Sequence, residues 1–171
     1  MYDYIIRLVL AVIVGAIIGF EREKKNKPAG FITHTMVCMG ACMVSIMQMM
    51  IFHEMINLVR QDPSLKEVIK IDTGRIIAQV ISGVGFLGAG TIIQNKDKVS
   101  GITTAATLWV SACIGLIIGL GFYYIALVSS FLAIFVLVIM TKFERKYINR
   151  NGRLKMLRRR AYSIFLKKSR H

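Results

Sequence analysis

His34, Cys38 and Cys42 stand at i, i+4 and i+8 near the start of one apolar stretch. A helix there would carry one imidazole and two thiols along a single stripe. That donor set suits Cu(I) or Zn²⁺. It also suits plain packing, since cysteine and methionine are ordinary core residues, and Met36, Met39, Met43, Met47 and Met50 run through the same segment. A hard cation would need oxygen ligands instead. Glu21 and Glu23 flank Arg22, and Asp72 precedes Arg75 and Gln79. Both acidic clusters lie at the edges of apolar runs, and no Asp or Glu stands deep inside one, whereas Mg²⁺ is normally held by one or two carboxylates and its own waters. Serine, histidine and acid groups fall at opposite ends of segments or in loops, so the residues define no catalytic set and predict no enzyme.

Between Arg75 and Gln94 the chain carries no charge, a length that could cross a bilayer core of about 20 apolar residues. Its centre is small: Gly83, Gly85, Gly88, Ala89 and Gly90. So much glycine weakens a helix held only by its own hydrogen bonds. One reading is close helix packing; the other is a broken helix whose freed backbone lines a site. Gly83, Gly85 and Gly88 also match the dinucleotide spacing G-x-G-x-x-G. That motif requires a preceding strand and an acid roughly 20 residues on, where Thr103 and Thr104 stand instead.

The elements that must position these residues are membrane spans. Hydrophobic residues make up 55% of the 171-residue chain, more apolar surface than a soluble domain of that size could hide. The fold class expected is all-α, with five transmembrane helices at about 4–20, 33–52, 75–94, 102–120 and 122–141, the glycine-rich third helix packed at the centre, and a basic tail over 142–171. Arg7 is expected to snorkel to an interface. Gly15 with Gly19 and Gly115 with Gly119 repeat a helix-packing spacing. Ser100 or Thr103 is expected to cap the fourth span, Asp72 the third. A short interfacial helix is expected over 64–71, and the fifth span is the best candidate for facing lipid.

Charge sets orientation. Twelve basic residues follow Thr141, four lie in the loop after Phe20 and two in the loop after Gln94, eighteen of the 23 in the chain. With five spans these share one side, which the positive-inside rule makes the cytoplasm, leaving the N-terminus outside. The net charge of +14 is therefore topological, and no nucleic-acid partner is expected. Leu154, Leu157, Ala161, Ile164 and Phe165 form an apolar stripe among the tail's cations, the pattern of a helix lying on anionic lipid. A disordered basic tail fits equally. Cys38, Cys42 and Cys113 all lie in apolar segments and indicate no disulfide framework.

Two ordered blocks resemble a known family. Arg75-Ile-Ile-Ala-Gln79-Val-Ile-Ser-Gly83-Val-Gly85-Phe-Leu-Gly88-Ala-Gly90-Thr, followed by Val99-Ser-Gly101-Ile-Thr103-Thr104-Ala-Ala106-Thr-Leu-Trp109, is similar to the signature of the MgtC/SapB family of bacterial membrane proteins. Gly19-Phe-Glu21-Arg22-Glu23, then Lys27-Pro28-Ala29-Gly30 and Thr33-His34-Thr35 with Cys38 beyond, resembles that family's first cytoplasmic loop and second helix. The match covers roughly residues 5 to 140. Ile32 departs from the arginine usual at its place, and the tail is too short for the soluble C-terminal domain of longer members. The resemblance implies a multipass protein of the bacterial cytoplasmic membrane that serves adaptation to low magnesium and, in pathogens, survival in hosts. Its expected partners are membrane lipid, anionic at the tail, and another membrane protein or a second copy. No cofactor is expected; Mg²⁺ enters only through the resemblance, whose alternative reading is Mg²⁺ or other cation transport. The blocks and their borders make Glu21, Arg22, Glu23, His34, Cys38, Asp72, Arg75, Gln79, Gly83, Gly85, Gly88, Gly90, Thr103, Thr104 and Trp109 the residues expected to carry function.

Overall fold

Helix α1 (Tyr2–Lys24) is a nearly unbroken apolar run that ends where Glu21 to Lys27 bring charge, and Asn26 adopts a left-handed turn. The computed structural model describes residues 2–67, 72, 74–95 and 98–143. After the Pro28-Ala29-Gly30 turn, α2 (Phe31–Gln61) runs for 31 residues, roughly 46 Å at the helical rise. It therefore outruns a hydrocarbon core of roughly 30 Å. Asp62 closes α2: its amide donates to the Leu58 carbonyl at 2.9 Å. The hydroxyl and amide of Ser64 hold the Asp62 carboxyl below its usual pKa. Of the interfacial helix expected over 64–71, the described part is a 3₁₀ turn, Pro63–Glu67, and residues 68–71 lie outside the described residues.

Among the described residues, four helices are long and apolar enough to cross a membrane: α1, α2, α4 (Ile102–Gly119) and α5 (Tyr123–Phe135) with the π turn Val136–Met140 that continues it. The third helix differs from the span expected over 75–94. Helix α3 is Arg75–Ala89, 15 residues or roughly 22 Å. It stops because Thr91 takes its last turn: the Thr91 amide and hydroxyl both donate to the Gly88 carbonyl, at 3.0 and 2.7 Å. An unexpected antiparallel hairpin follows, β1 (Ile93–Asn95) against β2 (Lys98–Ser100), with Gln94 opposite Val99. The chain leaves it through Gly101, at φ 91°, where a Cβ would collide with the Thr91 carbonyl. Gly101 is thus the N-cap of α4, and neither Ser100 nor Thr103 caps it.

The centre of the bundle is α4 rather than α3. Ten of the eighteen α4 residues are buried against only Val84 and Gly88 in α3. A Cβ on Gly115 would strike the Cys38 carbonyl, and one on Gly119 would come within 2.5 Å of the Cys42 carbonyl. These contacts advance together along the chain, so α2 and α4 run parallel, touching backbone to backbone. Helix α1 lies antiparallel to α2: a Cβ at Gly15 would meet Thr35 Cα at 2.8 Å and one at Gly19 would meet Phe31 Cα at 2.7 Å. Helix α3 packs along α2 and α4, with Val84 joining Ala41, Ala112 and Leu116 in an apolar cluster. Gly83 and Gly85 instead face open space, and Gly88 only leans on Ala105.

Residues up to Ala133 form one compact unit and a second begins at Ile134. Within the first, α5 exposes Tyr124, Leu127 and Phe131. In the second, the described residues are the end of α5, the π turn and one further helical turn, Thr141–Phe143. The amphipathic helix considered for the basic tail lies outside the described residues.

Candidate functional site

A buried polar seam follows the contact between α2 and α4. From α2 come His34, Cys38, Cys42, Ser45 and Gln48, spaced to fall on one face; from α4 come Thr104, Thr107 and Ser111; α1 adds Arg22. All are buried. Glycine at 15, 19, 115 and 119 lets three backbones close around them, which is why polar residues here end up in the interior and the methionines opposite do not. Met36, Met43, Met47 and Met50 are all exposed.

At the end where α2 and α4 begin, the polar groups are joined. Arg22 donates from Nη2 to Thr104 Oγ1 at 2.6 Å. His34 bonds the Gly30 carbonyl through Nδ1 at 2.9 Å and Thr107 Oγ1 through Nε2 at 3.1 Å. Because Nδ1 faces a carbonyl it carries a proton, and in the neutral ring Nε2 then accepts from Thr107. The Thr107 hydroxyl also lies 2.9 Å from the Thr104 carbonyl, its alternative acceptor. Both ring nitrogens of His34 are thereby engaged. Among the described residues no three His, Cys, Asp or Glu side chains form a group that could hold a metal ion. The stripe His34, Cys38, Cys42 is real as a stripe, but it faces the packed backbones of α1 and α4.

Further along, Ser45 Oγ and Ser111 Oγ are fully enclosed and have no partner among the described residues. Groups of this kind ordinarily hold a buried water. The far end is closed by Arg7. Its Nη1 donates to the Gly119 carbonyl at 2.7 Å, its Nε to the Tyr123 hydroxyl at 3.3 Å, and it forms an ion pair with Asp3. Tyr123 in turn donates to Asp3 at 2.6 Å. Arg7 also lies over the rings of Tyr4 and Tyr123, and it fills the space beside Gly121, whose φ of 85° makes the α4–α5 turn. Arg7 thus ties α1 to the α4–α5 turn.

Of the residues expected to carry function, the structure gathers Arg22, His34, Cys38 and Thr104. Glu23 stands beside them, its carboxylate accepting from the Phe31 amide at 2.7 Å, while Glu21 is paired with Lys25 at 2.6 Å. Asp72, Arg75 and Gln79 lie exposed at the start of α3. Asp72 accepts from the amides of Gly74 and Arg75, both at 3.1 Å, in the turn that leads into α3, whose N-cap is Gly74 rather than the Asp72 expected. Thr103, Trp109 and Gly90 are exposed. Gly83 lines a separate apolar groove of about 460 Å³ between α2 and α3, with Met36, Val37, Gly40, Ala41, Val80 and Leu87. Ser45, Gln48, Asp3 and Tyr123 are not among the residues expected to carry function. The signal for the first two was their continuation of the His34 stripe; for the last two, 120 residues apart, there was none.

Comparison with known proteins places the chain in a family. The sequence pattern of the MgtC family matches residues 8–146. The chain is 36% identical over 154 residues to "Putative magnesium transporter YhiD" of Escherichia coli K12, covering 90% of this chain and 68% of that one. It is 40% identical over 128 residues to Protein SapB of Bacillus subtilis, and 38% identical over 130 residues to Protein MgtC of Salmonella typhimurium. It spans 52% and 49% of their lengths, with 74% and 76% of its own residues aligned. No solved structure matches the chain.

Proposed function

Because the chain belongs to the MgtC family, we propose that it is a regulatory, partner-binding membrane protein linked to adaptation to low magnesium, and neither an enzyme nor the carrier of the ion. One observation carries this reading: the polar seam of the bundle is closed. Helices α2 and α4 meet backbone to backbone at Gly115 and Gly119, leaving no lumen between them. Arg22 lies unneutralised by any carboxylate among the described residues at one end, and Arg7, held by Asp3, fills the other. A unit charge about 4 Å from another repels it by roughly 4 kcal/mol near a protein surface, and a divalent ion doubles that. No carboxylate lies in the seam to offset it.

Five crossings of the bacterial cytoplasmic membrane fit this role, with the N-terminus outside. Since α2 and α4 are parallel, the chain between them must return across the bundle. Helix α3 and the hairpin supply that return, though α3 alone is shorter than the hydrocarbon core. The open groove between α2 and α3 suits a transmembrane partner, either a second membrane protein or a second copy, because Gly40 and Gly83 leave it unfilled.

Magnesium transport is the second reading, favoured by the name that YhiD carries. Its path would have to run outside the seam, along α3 or between copies. Mg²⁺ flux into proteoliposomes, measured beside identification of proteins that co-purify from the membrane, separates the two. Specific Mg²⁺ flux above that of protein-free liposomes would overturn the regulatory reading.

A further inference from the structure

The end of the bundle where α2 and α4 both begin gathers positive potential around a buried cation. Parallel helices place their N-termini together, and each N-terminus carries unsatisfied amides and a partial positive charge. At α2 a carboxylate already answers it, since Glu23 accepts from the Phe31 amide at 2.7 Å. At α4 nothing does. The N-cap is Gly101, with no side-chain cap, and the first helical bond runs from the Ala105 amide to the Gly101 carbonyl, so the amides of Ile102, Thr103 and Thr104 receive none from the helix. Directly beneath this turn lies Arg22, 4% exposed, pointing at it through the 2.6 Å bond to Thr104.

Arg22 is in an unusual state. Its Nε is buried without a partner among the described residues. The nearest acids are engaged elsewhere, Glu21 by Lys25 and Glu23 by the Phe31 amide. The carbonyl end of α1, whose last turn contains Arg22, offsets part of the charge. It leaves the Nε donor unmet, and a buried guanidinium without a paired acceptor is costly. Ile102 and Thr103 on the turn above are exposed, so an anion has access. Lys24 and Lys27 in the adjoining loop add positive charge at the same end.

We propose that the first turn of α4, with Arg22 beneath it, binds a phosphate-class oxyanion. Its oxygens would accept from the α4 amides and the Thr103 hydroxyl. Arg22 would offer the planar two-donor fork that matches phosphate geometry better than a lysine does. The phosphate is that of an anionic lipid headgroup or a free one. This goes beyond the regulatory reading and does not rest on it: ion flux tests that reading, and anion binding tests this one.

The test uses the full chain purified in a non-ionic detergent. Its helical melting is followed while inorganic phosphate is titrated against chloride of equal ionic strength, and retention of phosphatidylglycerol over phosphatidylcholine is read by mass spectrometry of the intact complex. The wild type should bind one of the two probes saturably. Arg22→Gln should abolish that binding, and Arg22→Lys, which keeps the charge and the fold, should weaken it roughly tenfold. Thr103→Val, on an exposed position, should weaken it by a smaller factor. A phosphate response identifies a free anion, and phosphatidylglycerol retention without one identifies the headgroup; either sustains the site. Equal responses to phosphate and chloride with no lipid preference, or binding that Arg22→Lys and Thr103→Val leave unchanged, would overturn it.

Discussion

Adding one methyl group at each of two glycines should move stability in opposite directions. At Gly115 a Cβ would overlap the Cys38 carbonyl and come within 3.1 Å of the Ala41 Cβ. The first obstacle is backbone, so no rotamer change relieves it, and α2 and α4 must separate along a seam that also includes Gly119. Overpacking of this kind costs about 1–3 kcal/mol, and a backbone obstacle puts Gly115→Ala near the upper figure. At Gly83 nothing lies within 4 Å of a new Cβ, and the residue is exposed within α3. There alanine only gains helix propensity, up to about 1 kcal/mol. The two variants should thus differ by roughly 3–4 kcal/mol, more than a hundredfold in the folded ratio. Denaturant titration of purified protein in mixed micelles, followed by helical circular dichroism, reads this difference. If Gly115→Ala and Gly83→Ala shift the midpoint together, α3 is packed as tightly as α4, and the placement of α4 at the centre is wrong.

Three further outcomes follow from particular contacts. Gly83→Leu should leave the fold intact but fill the groove beside Val80 and Leu87, so complementation at low magnesium should fail while membrane insertion stays normal; full complementation would remove the groove from the function. Asp72→Ala should cost about 1 kcal/mol, as for other side chains that hold amides at a helix start, whereas Asp72→Asn retains an acceptor and should cost a few tenths; equal losses in the same titration would contradict the bonds to Gly74 and Arg75. Cysteines placed at Asn26 and Ser64, in a background without the native three, should label with an impermeant maleimide from the cytoplasmic and outer faces respectively, and labelling from one face only would rule out the proposed topology.

The parts legible in the sequence were those written in local composition. The four apolar helices among the described residues follow from runs of residue type, and the His34-Cys38-Cys42 stripe follows from spacing. Glycine was the misleading signal. Gly83, Gly85, Gly88 and Gly90 crowd into one stretch and suggest the tightest packing, yet the glycines that admit a neighbouring backbone are the sparser pairs at 15 and 19 and at 115 and 119. A glycine has the same local character whether it faces a carbonyl or open space, so only tertiary contact distinguishes them. The early end of α3 depended on Thr91 reaching back to Gly88, where hydropathy alone saw a continuing span. The Asp3-Arg7-Tyr123 tie joins residues 120 positions apart and had no local trace.

The buried seam also indicates how the bundle could pass a signal without passing an ion. Its polar groups are fixed at the ends, through Arg22 with Thr104 and Arg7 with Gly119, but Ser45 and Ser111 in between lack partners among the described residues. A seam pinned at both ends and underdetermined in its middle has few side-chain bonds to break if α4 shifts along α2, and its small residues offer little steric resistance to such a shift. Replacing both serines with alanine removes two unmet hydroxyls and leaves shape nearly unchanged, which should be neutral or stabilising. If the seam is a moving part, Ser45→Ala with Ser111→Ala should therefore yield a protein at least as stable as the wild type in the denaturant titration and yet impaired in complementation at low magnesium. Unchanged complementation with raised stability would instead make the seam a passive scaffold, and function would then reside on the exposed faces of α3 and in the groove beside it.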